Sequence, residues 1–338
     1  MNPKYLKWLL QIIAIAVFAV IALLISFWVG EIKPSWRDLA DLLAGNEGGI
    51  ELSILRQIRL PRIILGFAIG AALSLAGTIL QGVYRNPLVE PYTLGISGGA
   101  ALGVALAIVF DFQEMIGRIM LPVSGFIGAF ISLLIVYNIS ISKGKIKIQT
   151  MLLIGVMFSY VASSVMMLLL SVITAEDMQN VVFWTMGSLD EPDNLMIDIA
   201  VFLSFLGLFI SYIFVHPMNA MRLGHEKARH LGINTETSTR ILFITASILT
   251  GMAVSIAGVI GFVGLIIPHV IRMLVGSDNR ILLITSFIGG GAFLVLCDTL
   301  ARTIILPNEL PTGVITGIIG GIIFVVVISR KDNKMKMG

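Results

Sequence analysis

Charge, cysteine and nucleotide-binding motifs are what this sequence has least of. Asp, Glu, Lys and Arg together make up 13% of its 338 residues, where a soluble domain carries about 25%. The single cysteine, Cys297, lies inside an apolar run, which excludes a disulfide framework and a cysteine-based metal site. No G-x-x-x-x-G-K-[ST] phosphate loop occurs, because Gly144-Lys145 lacks the rest of the pattern. His225-Glu226 and His230 miss the H-E-x-x-H zinc motif by one position. Five residues turn a helix by about 140°, which takes the second histidine off the face a metal needs. The net charge of +3 is spread over short loops without aromatic interleaving, so nucleic-acid binding has little support.

What is present is apolar length. Hydrophobic residues make up 57% of the chain and the mean hydropathy is +0.97, the composition of an integral membrane protein forming one helical bundle. A run of about 20 apolar residues crosses the hydrocarbon core. Such runs are predicted at Trp8 to Gly30, Ile63 to Gly82, a third resuming at Tyr92, Ile119 to Ser140, Gln149 to Thr174 and Leu195 to Val215. Four more follow at Arg240 to Gly261, Phe262 to Gly276, Ile281 to Ala301 and Thr312 to Ser329. That makes about ten spans, with the seventh and eighth separated only by the breakers Gly258, Gly261, Gly264 and Pro268. The first run is too long for the apolar part of a signal peptide and is read as an uncleaved span. Residues 31–57 form an outer loop or surface helix, and residues 217–238 the longest inner loop.

Loop charge orients the bundle. With the N-terminus inside, Lys4, Lys7, Arg85, Arg222, Lys227, Arg229, Arg272, Arg330 and Lys331 fall inside, and Glu176, Asp177, Asp190, Glu191 and Asp193 share one outer loop. Both termini are expected in the cytoplasm. An internal repeat agrees with this layout: at an offset of 181 positions, the ten residues from Gly70 align with those from Gly251 and share six of them, Arg59 falls on Arg240 and Pro87 on Pro268. Five spans separate the copies, so they run in opposite directions, an inverted repeat.

The stretch from Arg59 to Gly103 organises the rest. R-L-P-R opens a small-residue helix, Pro87 and Pro91 interrupt the chain after Arg85-Asn86, and Gly95, Gly99 and Gly103 then line one helix face where another backbone can approach. The order R-L-P-R, A-G-x-x-x-Q, R-N-P-L-x-x-P-x-x-L-G-x-S-x-G-A resembles the signature of the FecCD family, the permease subunits of ABC importers for iron-siderophores, haem and cobalamin. The resemblance implies an all-α permease of the cobalamin-importer type in the cytoplasmic membrane of a bacterium or archaeon. It also implies a second permease subunit, two ATPase subunits that use ATP and Mg, and an extracytoplasmic substrate-binding protein, with no cofactor on this chain.

Site residues follow from the same resemblance. Arg59, Arg62 and Arg302 lie on the outer side against the positive-inside bias, and family arginines of this kind meet acidic residues of the binding protein. Headgroup anchoring suits Arg56 or Arg118 better. The inner loop, with Arg222, Leu223, Gly224, Glu226, Ala228, Arg229, Leu231 and Gly232, resembles the family's two short ATPase-coupling helices. The substrate path is implied along the fifth and tenth spans, with Met157, Ser163, Ser164, Met167, Thr312, Thr316 and Gly320 facing it and Ile148, Gln149 and Thr150 at a cytoplasmic gate.

Ionisable residues are nearly absent from the spans, so no proton- or sodium-coupling site is visible and the energy must come from elsewhere. Asp298 is the exception; it lies four residues before Arg302, the spacing of an ion pair, and is read as structural. Gly95-Ile96-Ser97-Gly98 also matches the G-x-S-G of intramembrane serine proteases, with His269 as a conceivable base. That alternative rests on four residues whose glycines packing already explains.

Overall fold

The computed structural model describes residues 3–30, 34, 35, 37, 38, 41, 44, 50–112, 117, 119–142, 145, 146, 148–190 and 193–336. Of the expected outer loop, residues 31–33, 36, 39, 40, 42, 43 and 45–49 lie outside the described residues, as do Arg118 and Glu191. In chain order the helices are α1 (Pro3–Trp28), α2 (Ile50–Tyr84), α3 (Ile96–Val109), α4 (Met120–Ser140), α5 (Ile148–Leu170), α6 (Ala175–Met186) and α7 (Asn194–Ile213). They continue with α8 (Val215–Met221), α9 (His225–His230), α10 (Thr235–Ala257), α11 (Val263–Val275), α12 (Asn279–Ala301) and α13 (Thr312–Lys336). Among the described residues, the only strands are β1 (Ile141–Ser142) and β2 (Lys145–Ile146), an antiparallel pair between α4 and α5.

Seven of these helices are long and apolar enough to cross a membrane, and α3, α11 and the first part of α13 are shorter apolar helices. The ten crossings match the sequence reading. Two boundaries differ from it. Residues 50–57, read as loop or surface helix, are helical and continuous with α2, which passes through a π turn over Leu55–Arg59 before continuing as an α-helix. The outer acidic segment contains α6, which Thr174 caps by accepting from the Asp177 N–H at 3.2 Å.

Helix α2 is the centre of the bundle, with 89% of its apolar window buried against only 11% for α5. Small residues cause this. A Cβ placed on Gly70 would lie 2.7 Å from Leu294 Cβ, and one on Gly264 would lie 2.9 Å from the Leu73 carbonyl. The absence of side chains therefore brings α2 onto the backbones of α12 and α11. Ile69, Leu73, Leu75, Ile79 and Leu80 fill the remaining space with no measurable exposure beyond 2%. The triplet Gly95, Gly99 and Gly103 works similarly: Gly99 and Gly103 seat α3 on Ser132 and Gly128 of α4, and Gly95 lies against Phe158 of α5.

The repeat survives in shape but not in every matched residue. Each half contains a long small-residue helix, a break and a short helix that starts after a left-handed residue, Gly95 (φ 81°) before α3 and Phe262 (φ 69°) before α11. Pro87 and Pro268 are not equivalent, since Pro87 lies in the break after α2 whereas Pro268 is inside α11. Pro268 does not end its helix as a breaker should. Its missing N–H frees the Gly264 carbonyl, and buried Gln81 of α2 donates Nε2 to that oxygen at 3.3 Å and to the Leu265 oxygen at 3.1 Å. A neighbouring side chain thus satisfies what proline leaves open in the membrane interior.

Candidate functional site

At the end of the bundle where α1 and α12 finish and α2 begins, the three arginines expected to face a partner are largely buried. Arg62 donates Nε to both oxygens of Asp298 at 3.1 Å, and its Nη1 lies 2.7 Å from Glu309. Arg302 approaches the other side of Asp298 at 3.5 Å and donates to the Ser26 carbonyl at 2.7 Å. Arg59 donates to the Phe27 carbonyl at 2.8 Å. The side chains of Arg62, Arg302 and Asp298 are 8%, 9% and 3% exposed. This corrects the docking assignment for Arg59, Arg62 and Arg302: their guanidiniums are occupied in tying α1, α2, α12 and the start of α13 together. Burial drives the arrangement, because a guanidinium removed from water needs a carboxylate or carbonyl partner. Asp298 and Arg302 are the i,i+4 structural pair that their spacing predicts. Glu309, half exposed, went unnoticed in the sequence because it sits in a loop where acids are ordinary.

The two helix faces read as the substrate path divide. On α5, Met157, Ser164 and Met167 are exposed and Ser163 is half-buried, so this helix leaves an uncovered stripe. On α13, Thr312 and Thr316 are fully buried and Gly320 is buried too. Thr312 donates to Asp298 at 3.1 Å, Thr316 donates to the Gly313 carbonyl at 3.0 Å, and a Cβ on Gly320 would lie 2.6 Å from Phe262 Cβ. The three therefore face into the subunit, a correction to their placement on the path. Their four-residue spacing is what lets α13 pack closely. The uncovered face carries Val314, Gly317, Ile318, Gly321 and Ile322, and a Cβ on Gly317 or Gly321 would meet nothing within 4 Å.

The helix ends that frame these faces meet through backbone. The Gly313 N–H donates to the Gly187 carbonyl at 3.3 Å, and the Ser188 N–H to the Ala257 carbonyl at 2.9 Å. Gly187 (φ 75°) would place a Cβ 2.8 Å from the Val259 oxygen, and Gly258 (φ 67°) would place one 3.0 Å from Gly187 Cα. The end of α6, the end of α10 and the start of α13 are thereby joined at one point.

At the opposite end of the bundle, the loop expected at residues 217–238 contains the two short helices α8 and α9, with Gly224 (φ 114°) before α9 and Gly232 (φ 80°) just after it, conformations that favour glycine. Leu223 and Leu231 are 61% and 64% exposed and Glu226 is exposed, whereas Ala228 is fully buried in the core. Ala228 thus belongs to packing and not to an exposed ridge. Arg222 donates to the Ser277 carbonyl, and Arg229 donates to Thr235 Oγ1 at 3.1 Å. His225 is held below its ordinary value by burial and by Arg85 and Arg229, against the Val83 carbonyl that favours its charged form. Gln149 and Thr150 are exposed in the first turn of α5, which begins at Ile148. In the break after α2, Asn86 Oδ1 accepts from the Leu88 N–H at 3.0 Å, a local turn around Pro87.

Among the described residues, no group of three His, Cys, Asp or Glu is placed to hold a metal ion. Gly98 of the G-x-S-G match packs against Ser159 of α5, with a Cβ there 3.1 Å from Ser159 Cα. A bundle of seven long apolar helices and three shorter ones, with a charged loop of two short helices at one end, has the features of an ABC-transporter permease. The FecCD transport family matches residues 17–330, and the chain belongs to it. The hemin transport system permease protein HmuU of Yersinia pestis is 36% identical over 278 residues, covering 81% of this chain and 83% of the relative. The iron(3+)-hydroxamate import system permease protein FhuG of Bacillus subtilis is 33% identical over 338 residues, 98% of this chain and 99% of the relative. A solved structure described as a metal-chelate type ABC transporter in an inward-facing conformation superposes with a TM-score of 0.81 at 30% identity, covering 95% of this chain and 99% of that one.

Proposed function

We propose that this chain is the membrane subunit of an ATP-driven importer that moves a metal chelate, a ferric siderophore first, with haem and cobalamin as the alternatives. The observation that carries the reading is the uncovered face of α5 and α13. The two stripes are apolar or neutral, with Met157, Ser164 and Met167 on α5 and Gly317, Ile318 and Gly321 on α13. Such a surface lets a bulky chelate slide without the sticking points that buried charge would create. The match to FhuG over nearly the full length of both chains supports the ferric cargo.

The path lies between α5 and α13 of this subunit and those of a second permease subunit, with the gate at Ile148, Gln149 and Thr150. Two ATPase subunits that use ATP and Mg receive Leu223 and Leu231 on the inner side, so both chain termini are cytoplasmic. The outer face receives a binding protein that delivers the cargo, and the buried arginines stiffen the frame beneath it. The complex is tested in proteoliposomes by offering a ferric hydroxamate, haem and cobalamin in turn with the matching binding proteins. ATP-dependent uptake of the ferric chelate alone is expected; uptake of haem or cobalamin alone would overturn the cargo assignment. A reporter after Lys336 should read cytoplasmic and one at Asp190 external, and finding both on one side would overturn the orientation.

A further inference from the structure

We propose that Glu90 is a positioning residue for transport: from the break after α2 it sets the distance between the two path helices, α5 and α13. The inference rests on the reading of those helices as walls of the path.

Glu90 acts in two directions. Its main chain anchors a short turn, since its carbonyl accepts from the Thr93 N–H at 3.1 Å and from the Thr93 hydroxyl at 2.6 Å. That turn presses on α5: a Cβ on Gly155 would lie 2.8 Å from Leu94 Cα, and one on Gly95 would lie 3.1 Å from Phe158 Cδ1. The side chain points to the other half of the molecule, where its Oε1 accepts from the Phe262 N–H at 2.8 Å. Phe262 sits in the left-handed region at φ 69°, at the start of α11, where no preceding helical turn offers its N–H a carbonyl. An unpaired N–H is costly inside a membrane protein, so the carboxylate fixes both the bond and the strained backbone. Phe262 in turn bears on α13 at Gly320. Tyr92 doubles the link, donating its hydroxyl to the Ile260 carbonyl at 2.9 Å and accepting from the Ile260 N–H at 3.2 Å.

The same segment begins beside the coupling loop. Arg85, in the left-handed region at φ 53°, has its Nη1 3.7 Å from the Cβ position of Gly224. Movement of that loop therefore has a short route, Arg85 to Glu90, to both path helices at once. A residue that merely filled space would not need an acceptor here; the geometry uses the reach of the side chain and its acceptor oxygen.

The test uses the complex of this chain with its ATPase in proteoliposomes. Single cysteines replace Met157 on α5 or Ile318 on α13, and labelling by a membrane-impermeant maleimide is followed with and without ATP and vanadate. With Glu90 intact, labelling should change with nucleotide. Glu90→Ala should abolish the change and lower uptake about tenfold or more, the scale of a buried donor left without its hydrogen-bond partner. Glu90→Gln keeps an acceptor oxygen at the same reach and should restore both. Co-purification of the ATPase reports folding. If Glu90→Ala does not assemble, Glu90→Asp decides, because it keeps the charge and loses the reach. Nucleotide-dependent labelling that is unchanged in Glu90→Ala or Glu90→Asp would overturn the proposal alone, as would equal loss in Glu90→Gln. Labelling that ignores nucleotide with Glu90 intact would remove the path reading and the proposal with it.

Discussion

Arg62 and Asp298 face each other side-on across 236 positions of sequence, with Nε of the arginine 3.1 Å from both carboxylate oxygens and Nη2 2.9 Å from one of them. The pair locks α2 to α12 at the outer end, and Arg302 and Thr312 complete the coordination of the same carboxylate. Removing one member of a buried ion pair costs about 3–5 kcal/mol, because the other charge is left without a partner. Asp298→Asn should therefore lower the unfolding temperature in detergent well beyond Glu309→Gln, because Glu309 is itself half exposed and its ion pair contributes about 1 kcal/mol or less. Equal shifts would remove Asp298 from the centre of the network.

Two glycines on different helices should respond oppositely to the same substitution. Gly77→Ala places a methyl group against the backbone of Gly264, less than 3 Å from its Cα, and must push α2 off α11. Overpacking of this kind costs about 1–3 kcal/mol. Gly321→Ala meets open space and should leave the stability of the isolated subunit unchanged. Thermal unfolding of the two purified variants separates the cases, and a tolerated Gly77→Ala would contradict the close helix contact.

In the loop of α8 and α9, Leu223 and Leu231 expose apolar surface that a partner can cover, whereas Ala228 does not. Burying one leucine is worth about 1.5–3 kcal/mol. Leu231→Asp should weaken ATPase co-purification at least about tenfold while the permease remains folded. Ala228→Asp should instead destabilise the chain itself. Normal ATPase recovery with Leu231→Asp would dismiss the loop as the docking surface.

Acid should loosen the inner end of α12. Burial acts to raise the Asp278 carboxyl, but bonds from the Arg280 N–H, Asn219 and Lys4 outweigh it and hold the group below its usual range. A carboxylate with a depressed folded value stabilises the fold above its unfolded value of about 3.9 and loses that contribution as pH falls through the folded value. The stability gap between the wild type and Asp278→Asn should thus be full at neutral pH and close below pH of about 4. A gap that persists in acid would mean that charge is not its source.

The ten crossings were legible because apolar length and loop charge are local properties, and the short helices of residues 217–238 were legible because glycine marks their ends. Facing was not. Thr312, Thr316 and Gly320 look like a mild polar stripe for a pore, yet the same spacing is what a helix needs to lie against Asp298 and Phe262. Sequence shows a stripe without saying which neighbour takes it. Arg59, Arg62 and Arg302 looked exposed because nothing local reveals that Asp298 and Glu309 arrive from far along the chain. Two further features left readable traces that composition masked: Thr174 to Asp177 is a capping pattern for α6, and Glu90 is an acid fixed between two prolines' breaks in apolar surroundings.

The central position of α2 has a consequence for biogenesis. Its partners at Gly264 and Gly290 are made late, 187 residues after Gly77 and 220 after Gly70 respectively. At about 5–20 residues per second, α2 waits on the order of ten to forty seconds with its small-residue faces open to lipid and to other nascent helices. Early helices such as α1 and α3 must shelter it meanwhile, or a chaperone of the membrane must. A chain cut short before α12 should accordingly be inserted yet degraded quickly, a difference that pulse-chase labelling of truncated and complete chains would show.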